Sequence, residues 1–243
     1  MKYLVVRSWY YHDPRARALI SVVDNLWNLL EVPPSTKVVT KTIPKPWWNY
    51  TPKSRGFYYG RYWMAWEEWK YCPAQFLLVV DADVIPTNKK ALVNLCNFLD
   101  RIPPHIGIVT REVVVRVETL VGQRFVHTAG IGFMPSEGIS VWQGKYIPSL
   151  FFSKVYQYLW VTSPHVKWAH GVDVSEGIYT CGLPPIPMMT FPPEILVLIG
   201  TDTVVTEELF SKTNFIHASG SVVRPEFAQV VFTALKRTIE GRF

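Results

Sequence analysis

Two aspartates, Asp81 and Asp83, directly follow an apolar run that extends from Phe76 to Val80. The run predicts a buried strand, and open α/β sheets bind their ligands at the carboxyl ends of such strands. Residues two apart in an extended chain point to the same side, so both carboxylates could face one cation. Hard divalent cations take oxygen ligands and often bridge protein carboxylates to phosphates. The pair therefore predicts a site for a metal ion and a phosphate group.

A histidine far downstream, His217, also follows apolar residues, in this case Phe215 and Ile216. Two carboxylates and an imidazole make a mixed oxygen and nitrogen ligand set, which suits Mn²⁺ better than Mg²⁺. At Gly220, backbone amides could approach phosphate oxygens, and Arg224 could neutralise their charge. The alternative interpretation of His217 is a solvated loop histidine.

The elements that must position these residues alternate between strand and helix early in the chain, whereas the later strands cluster. This order predicts an α/β fold with a mixed, mostly parallel central sheet. Strands are predicted over residues 3–6, 37–41, 76–80, 106–110, 113–117, 125–134, 195–199 and 215–216. Helices are predicted over residues 14–30, 61–71, 88–99, 147–159, 172–180 and 225–238, and a loop over residues 43–60.

Charge and cysteine content restrict the class of partner and the compartment. The formal charge of +6 and the pI of 9.2 favour anionic partners, but the basic residues form no single block, which argues against a nucleic-acid-binding arm. Three cysteines without a metal-binding spacing favour a reducing compartment. Neither a signal peptide nor a membrane-spanning stretch is expected. We therefore expect a cytoplasmic protein, with any membrane contact peripheral.

The two motifs resemble those of GT-A-fold, metal-dependent glycosyltransferases, especially the retaining galactosyltransferase and glycogenin type of family eight. In that family an apolar strand ends in Asp-x-Asp, which matches Asp81 and Asp83. A later His-x-x-Gly-x-x-Lys-Pro segment matches His217, Gly220 and Arg224, with arginine in place of lysine. The resemblance implies that the two aspartates and the histidine bind Mn²⁺ (or Mg²⁺) and that Gly220 and Arg224 contact the donor phosphates.

Shorter segments extend the resemblance. Thr128, Ala129 and Gly130 resemble an Asn-Ala-Gly segment that lines the donor-sugar pocket, and Arg61 resembles a basic residue that contacts the donor. Small residues also have a physical reason to lie there, because a sugar can then approach the backbone closely. The alternative interpretation is a glycine that marks a β-bulge.

Asp173 and Glu176 lie where such enzymes carry an acidic motif at the start of a helix. They are one helical turn apart and could share a face. A carboxylate near the transferred sugar could bind its hydroxyls, act as a base or stabilise developing positive charge. The alternative is a capping aspartate and a solvated glutamate. The histidine motif favours retention of configuration, whereas Asp173 acting as a base would favour inversion.

The loop after the first strand lies where phosphate or base contacts often fall, and it begins at Ser8. Tyr10 or Tyr11 could stack on a nucleobase. Arg15 or Arg17 could pair with a pyrophosphate, or they could be solvent-facing helix arginines.

The resemblance implies one GT-A-like domain over residues 1–243, a Rossmann-type α/β/α sandwich. Its nucleotide-binding half would end near residue 100 and be followed by an acceptor-side half. The implied reaction moves a hexose from a UDP- or GDP-sugar to a hydroxyl of a glycan, lipid or protein. One alternative is a GT-A-like protein that binds nucleotides or glycans without turnover. The other is a haloacid-dehalogenase-like phosphatase, whose Asp-x-Asp motif normally lies near the amino terminus and precedes Gly-Thr, whereas Val84 follows here.

Overall fold

A computed structural model describes residues 1–9, 14–42, 64–110, 117–119, 124–126, 138–144, 146–147, 188–199, 203–218 and 225–243. The loop predicted over residues 43–60, the helix predicted over residues 172–180 and all but the first residue of the helix predicted over residues 147–159 lie outside these ranges.

A mixed sheet of six strands forms the centre of the described structure. In spatial order its strands are β2 (Thr36–Thr42), β1 (Tyr3–Trp9), β3 (Phe76–Asp81), β8 (Ile139–Gln143), β5 (Ile108–Thr110) and β9 (Met188–Thr190). Strand β1 is parallel to both β2 and β3, and β5 is parallel to β9. Strand β8 is antiparallel to β3 and β5. The predicted α/β fold with a mixed, mostly parallel sheet is confirmed.

A second sheet begins at the turn that follows β3. In spatial order its strands are β10 (Leu196–Ile199), β11 (Phe215–Ala218) and β4 (Val84–Pro86). Strand β11 is parallel to β10 and antiparallel to β4. The chain leaves the first sheet at Asp81 and enters the second at Val84, so the Asp-Ala-Asp turn joins the two sheets. A separate hairpin consists of β6 (Val117–Thr119) and β7 (Arg124–Val126).

The helices bury apolar faces against this framework. They are α1 (Pro14–Asn28), α2 (residues 64–71), α3 (Ala91–Leu99), α4 (Glu207–Lys212) and α5 (Pro225–Ile239). Helix α1 starts at a proline, whose fixed φ suits a first helical position, and its buried residues Ala16, Ile20, Val23 and Leu26 recur at helical spacing. They join the core that β1 and β3 contribute to. No helix in the described ranges combines the length and apolar character that crossing a bilayer requires.

Among the described elements, β4, β8, β9 and α4 were not predicted from the sequence. Strands β4 and β9 have only three residues each, too few for a period to show. Strand β8 is buried throughout, but it contains the polar residues Ser140 and Gln143. Its sequence therefore lacks the continuous apolar run that predicts a buried strand. Helix α4 does carry a sequence signal, because Thr206 is a preferred N-cap residue type and Glu207 and Glu208 follow it in the first turn. In the structure the Thr206 hydroxyl accepts a hydrogen bond from the Leu209 N–H at 3.2 Å.

Candidate metal centre

Asp81, Asp83 and His217 meet at the junction of the two sheets. Asp81 ends β3, Asp83 lies in the turn to β4, and His217 lies in β11 directly opposite Val84. The imidazole Nε2 is 3.4 Å from Asp83 Oδ1 and 3.9 Å from Asp81 Oδ2. The two aspartates and the histidine are 5%, 9% and 1% exposed, respectively. The structure thus brings together the three residues that the sequence analysis selected as metal ligands.

The spacing and chemistry of these three groups fit one divalent cation. Octahedral ligands about 2.1 Å from an ion lie roughly 3 Å from one another. Ligand atoms from the three residues lie within 4.8 Å of one another, a spacing compatible with one shared ion. Two buried carboxylates this close repel one another unless a cation or a proton compensates them. Within the part of the chain that the structure describes, no other group of three or more potential metal ligands lies this close together.

Gly138 contacts two of the three groups. Its N–H donates to Asp81 Oδ2 at 2.7 Å, and its carbonyl accepts from the Asp81 N–H at 2.8 Å. Its φ of +100° lies in the region that favours glycine. A Cβ at this position would lie 2.9 Å from Nδ1 of His217. The backbone of Gly138 therefore orients one carboxylate, and its missing side chain leaves room for the imidazole.

A buried arginine, Arg7, lies beside the same turn and is 1% exposed. It donates to Asp24 Oδ1 at 2.6 Å and, more weakly, to the carbonyl of Ala82 at 3.4 Å. Its guanidinium lies 4.7 Å from the ring centre of Trp27, whose indole N–H donates to the carbonyl of Val84 at 2.8 Å. Burial lowers the pKa of Arg7, and the carboxylate of Asp24 opposes that shift.

Of the predicted donor-binding residues, only Ser8, Arg15 and Arg17 lie in the described ranges. Ser8 belongs to β1, which extends to Trp9, and not to the loop predicted to begin at this residue. It is opposite Asp81 in the parallel pairing of β1 with β3, it is buried, and its Oγ has no hydrogen-bond partner within the described residues. Arg15 lies in the first turn of α1 with an exposed side chain. The roles of the other selected residues stay predictions, because these residues lie outside the described ranges: Tyr10, Arg61, Thr128, Ala129, Gly130, Asp173, Glu176, Gly220 and Arg224.

The sequence analysis does not select Gly138, Arg7 or Trp27. Arg7 carries a signal that could have been used, since it is a charged residue that continues the apolar run of β1. Long arginines are seldom fully buried unless they are paired. Gly138 and Trp27 carry no comparable signal, because their contacts depend on the pairing of β8 with β3 and on the packing of α1.

Replacement of His217 by alanine should weaken the binding of Mn²⁺ more than that of Mg²⁺, because imidazole suits manganese better than magnesium. We expect the Mn²⁺ dissociation constant to rise by at least about tenfold and the Mg²⁺ constant by clearly less. Calorimetric titration of each ion in the presence of UDP measures both. His105→Ala, at an exposed histidine, is the control. An equal fold loss of affinity for Mn²⁺ and Mg²⁺ would contradict the binding of the ion by the imidazole.

The sequence matches no protein-family model and no curated protein. The structure is similar to a glycosyltransferase involved in the glycosylation of the major capsid of PBCV-1, with a TM-score of 0.60 and 14% identity over 96% of this chain and 100% of that one. It is also similar to the galactosyltransferase LgtC in complex with donor and acceptor sugar analogs, with a TM-score of 0.50 and 12% identity over 96% of each chain. A third similar structure is the glycosyltransferase GlyE of Streptococcus pneumoniae TIGR4, with a TM-score of 0.51 and 11% identity over 98% of this chain and 64% of that one.

These similarities define the fold. The chain has the GT-A fold, as the sequence analysis predicted, and the Asp-Ala-Asp turn lies at the carboxyl end of one of its central strands. At such low sequence identity the similarity establishes the architecture alone.

Proposed function

We propose that this protein is a metal-dependent glycosyltransferase that moves a sugar from a nucleotide-diphosphate sugar to an acceptor hydroxyl. The observation that carries the proposal is the meeting of Asp81, Asp83 and His217 at the end of β3 in a chain with the GT-A fold. A structural neighbour, LgtC, has been solved with donor and acceptor sugar analogs, which supports this choice of substrate classes.

In this proposal Asp81, Asp83 and His217 hold Mn²⁺, with Mg²⁺ as the alternative ion. A bound divalent ion supplies Lewis acidity that stabilises the departing nucleoside diphosphate. The chain contributes the preorganisation of this site. The N–H of Gly138 fixes one oxygen of Asp81, and burial of the three side chains keeps the local dielectric low, so charges there interact strongly.

The donor contacts of the proposal extend from the metal centre. The unpartnered Oγ of Ser8, opposite Asp81, would donate a hydrogen bond to the donor. Contacts to the base, the diphosphate and the sugar are proposed for the other residues that the sequence analysis selected: Tyr10, Arg15, Arg61, Thr128, Ala129, Gly130, Gly220 and Arg224.

The transferred sugar is proposed to lie near Asp173 and Glu176, and we propose retention of its anomeric configuration. The family-eight resemblance of the His217 segment supports the retaining course. The anomeric proton of the first product formed, observed by NMR, reports the stereochemical outcome directly.

The purified protein should release UDP or GDP when it is incubated with a panel of nucleotide sugars, acceptor glycans and Mn²⁺. Chromatography of the nucleotide products measures the release and identifies the base and the sugar together. Removal of the metal with EDTA should abolish the reaction, and added Mn²⁺ should restore it, because the ion stabilises the leaving group.

Other outcomes of the same assay favour the alternatives. Mn²⁺-dependent nucleotide binding without turnover of any donor would support a non-catalytic GT-A protein. Phosphate release from small phosphomonoesters would point to a phosphatase. Turnover that is unaffected by EDTA would contradict the role proposed for the metal centre.

A further inference from the structure

Two residues that are not metal ligands, Arg7 and Trp27, donate hydrogen bonds to the turn on both sides of Asp83, and a third, Asp24, pairs with Arg7. Arg7, Asp24 and Trp27 form a group that we call the Arg7 cluster. Arg7 donates to the carbonyl of Ala82 and Trp27 to the carbonyl of Val84. We propose that the Arg7 cluster is a positioning element that orients the Asp83 carboxylate toward the ion. The inference rests on the proposed function, because it requires a divalent ion at this turn.

The members of the cluster also hold one another in place. The guanidinium of Arg7 lies over the indole of Trp27 and pairs with Asp24. A cation over an aromatic face is stabilised when both are removed from water. Trp27 also contacts Phe215, whose ring stacks on the indole at 5.4 Å between centroids. Since Phe215 belongs to β11, the indole contacts both the strand that carries His217 and the turn that carries Asp83.

Geometry, rather than charge, is the means by which this cluster would act. An isolated guanidinium beside the turn would repel a divalent cation, but the carboxylate of Asp24 lies 2.6 Å away and offsets its charge. The attraction between Arg7 and Asp83 is weaker than that between Arg7 and Asp24. The direct contacts of the cluster with the turn are hydrogen bonds to the two carbonyls that flank Asp83. Groups that hold metal ligands in place typically change metal affinity by about 10–100-fold when they are removed.

Two variants of the full chain separate geometry from charge. Trp27→Phe removes the indole N–H but retains an aromatic ring, so the charges are unchanged. The double variant Arg7→Met with Asp24→Asn removes the ion pair as a neutral unit. The Mn²⁺ dissociation constant of each is measured from the electron paramagnetic resonance of free Mn²⁺, and folding is checked by thermal unfolding with a chelator present.

We expect the Mn²⁺ dissociation constant to rise about tenfold or more in each variant. Saturating Mn²⁺ should restore UDP binding, because the ligands themselves are intact. Arg237→Met is the matched control: Arg237 also lies over an aromatic ring, 5.6 Å from the centre of Phe210, and pairs with Glu207 at 2.5 Å. Its helix, α5, carries none of the three metal ligands. Its variant should keep the Mn²⁺ constant within about twofold of the wild type.

The results distinguish failure of the inference from failure of the proposed function. If the wild type binds Mn²⁺ and Trp27→Phe has the same Mn²⁺ dissociation constant, the positioning role alone is overturned. If the Mn²⁺ dissociation constant rises as much in Arg237→Met as in the cluster variants, the positioning role is also overturned, since removal of any packed arginine would then have this effect. Wild-type protein that binds no Mn²⁺ overturns the metal-dependent function and this inference together. If the double variant fails to fold, Trp27→Phe decides the question.

Discussion

Replacement of Asp83 by alanine should abolish the Mn²⁺-dependent binding of UDP without unfolding the protein. The substitution removes one of the three proposed ligand residues, and only Asp81 and His217 would be left to bind the ion. Loss of a direct ligand should exceed the effect of losing a supporting residue, so we expect Mn²⁺ affinity to fall by more than about 100-fold. The fold should persist, because the change also relieves repulsion between two neighbouring carboxylates.

Calorimetric titration of UDP with and without Mn²⁺ measures this effect. Asp100→Ala is a matched control, because Asp100 is also paired, to Lys2 at 2.8 Å, and belongs to no metal-ligand cluster within the described ranges. The control should bind UDP and Mn²⁺ as the wild type does. Equal affinity for UDP with and without Mn²⁺, in wild type and Asp83→Ala alike, would refute the metal centre.

Replacement of Gly138 by alanine should weaken metal binding strongly and also lower stability. The new Cβ would lie 2.9 Å from Nδ1 of His217, closer than a Cβ atom approaches a non-bonded atom, and a tight 3.1 Å from Cγ. The imidazole or the Gly138 backbone must therefore move, and the backbone carries the hydrogen bond to Asp81. We expect the Mn²⁺ dissociation constant to rise roughly 10–100-fold. Because φ is also unfavourable for alanine, the free energy of unfolding should fall by roughly 1–3 kcal/mol.

Gly144 provides the control for backbone strain. Its φ of +51° is also positive, but a Cβ there would meet no atom of the described residues within 4 Å. Gly144→Ala should therefore lose about 1–2 kcal/mol of stability and keep its Mn²⁺ affinity. Thermal unfolding and Mn²⁺ titration of the two variants separate strain from collision. Mn²⁺ affinity in Gly138→Ala equal to that in Gly144→Ala would show that the contact with His217 has no bearing on the site.

The grouping of Asp81, Asp83 and His217 was largely predictable because these residues carry local signals. Asp81 and Asp83 follow a strand that is apolar throughout, and His217 lies in a second short apolar segment. A resemblance between the two motifs and those of known enzymes linked segments that are far apart in the chain. The structure supplies what no local pattern could, the antiparallel pairing of β11 with β4 that places His217 opposite Val84.

The supporting residues were not predictable, for a different physical reason. The role of Gly138 follows from the pairing of Val80 with Ile139, which brings together segments that are distant in sequence. Strand β8, which follows Gly138, escaped prediction because buried polar residues interrupt its apolar pattern. Trp27 reads as an ordinary core residue of α1, and its hydrogen bond to Val84 depends on how the helix lies against the turn.

The junction between the two sheets has one further consequence. Asp81 ends a strand of one sheet, whereas His217 belongs to the other. An ion held by both would act as a removable cross-link, and its binding free energy would add to the cohesion of the native state by mass action. The free concentration of that ion in the surroundings, as well as the amino-acid chain itself, would then determine how firmly the sheets are held together.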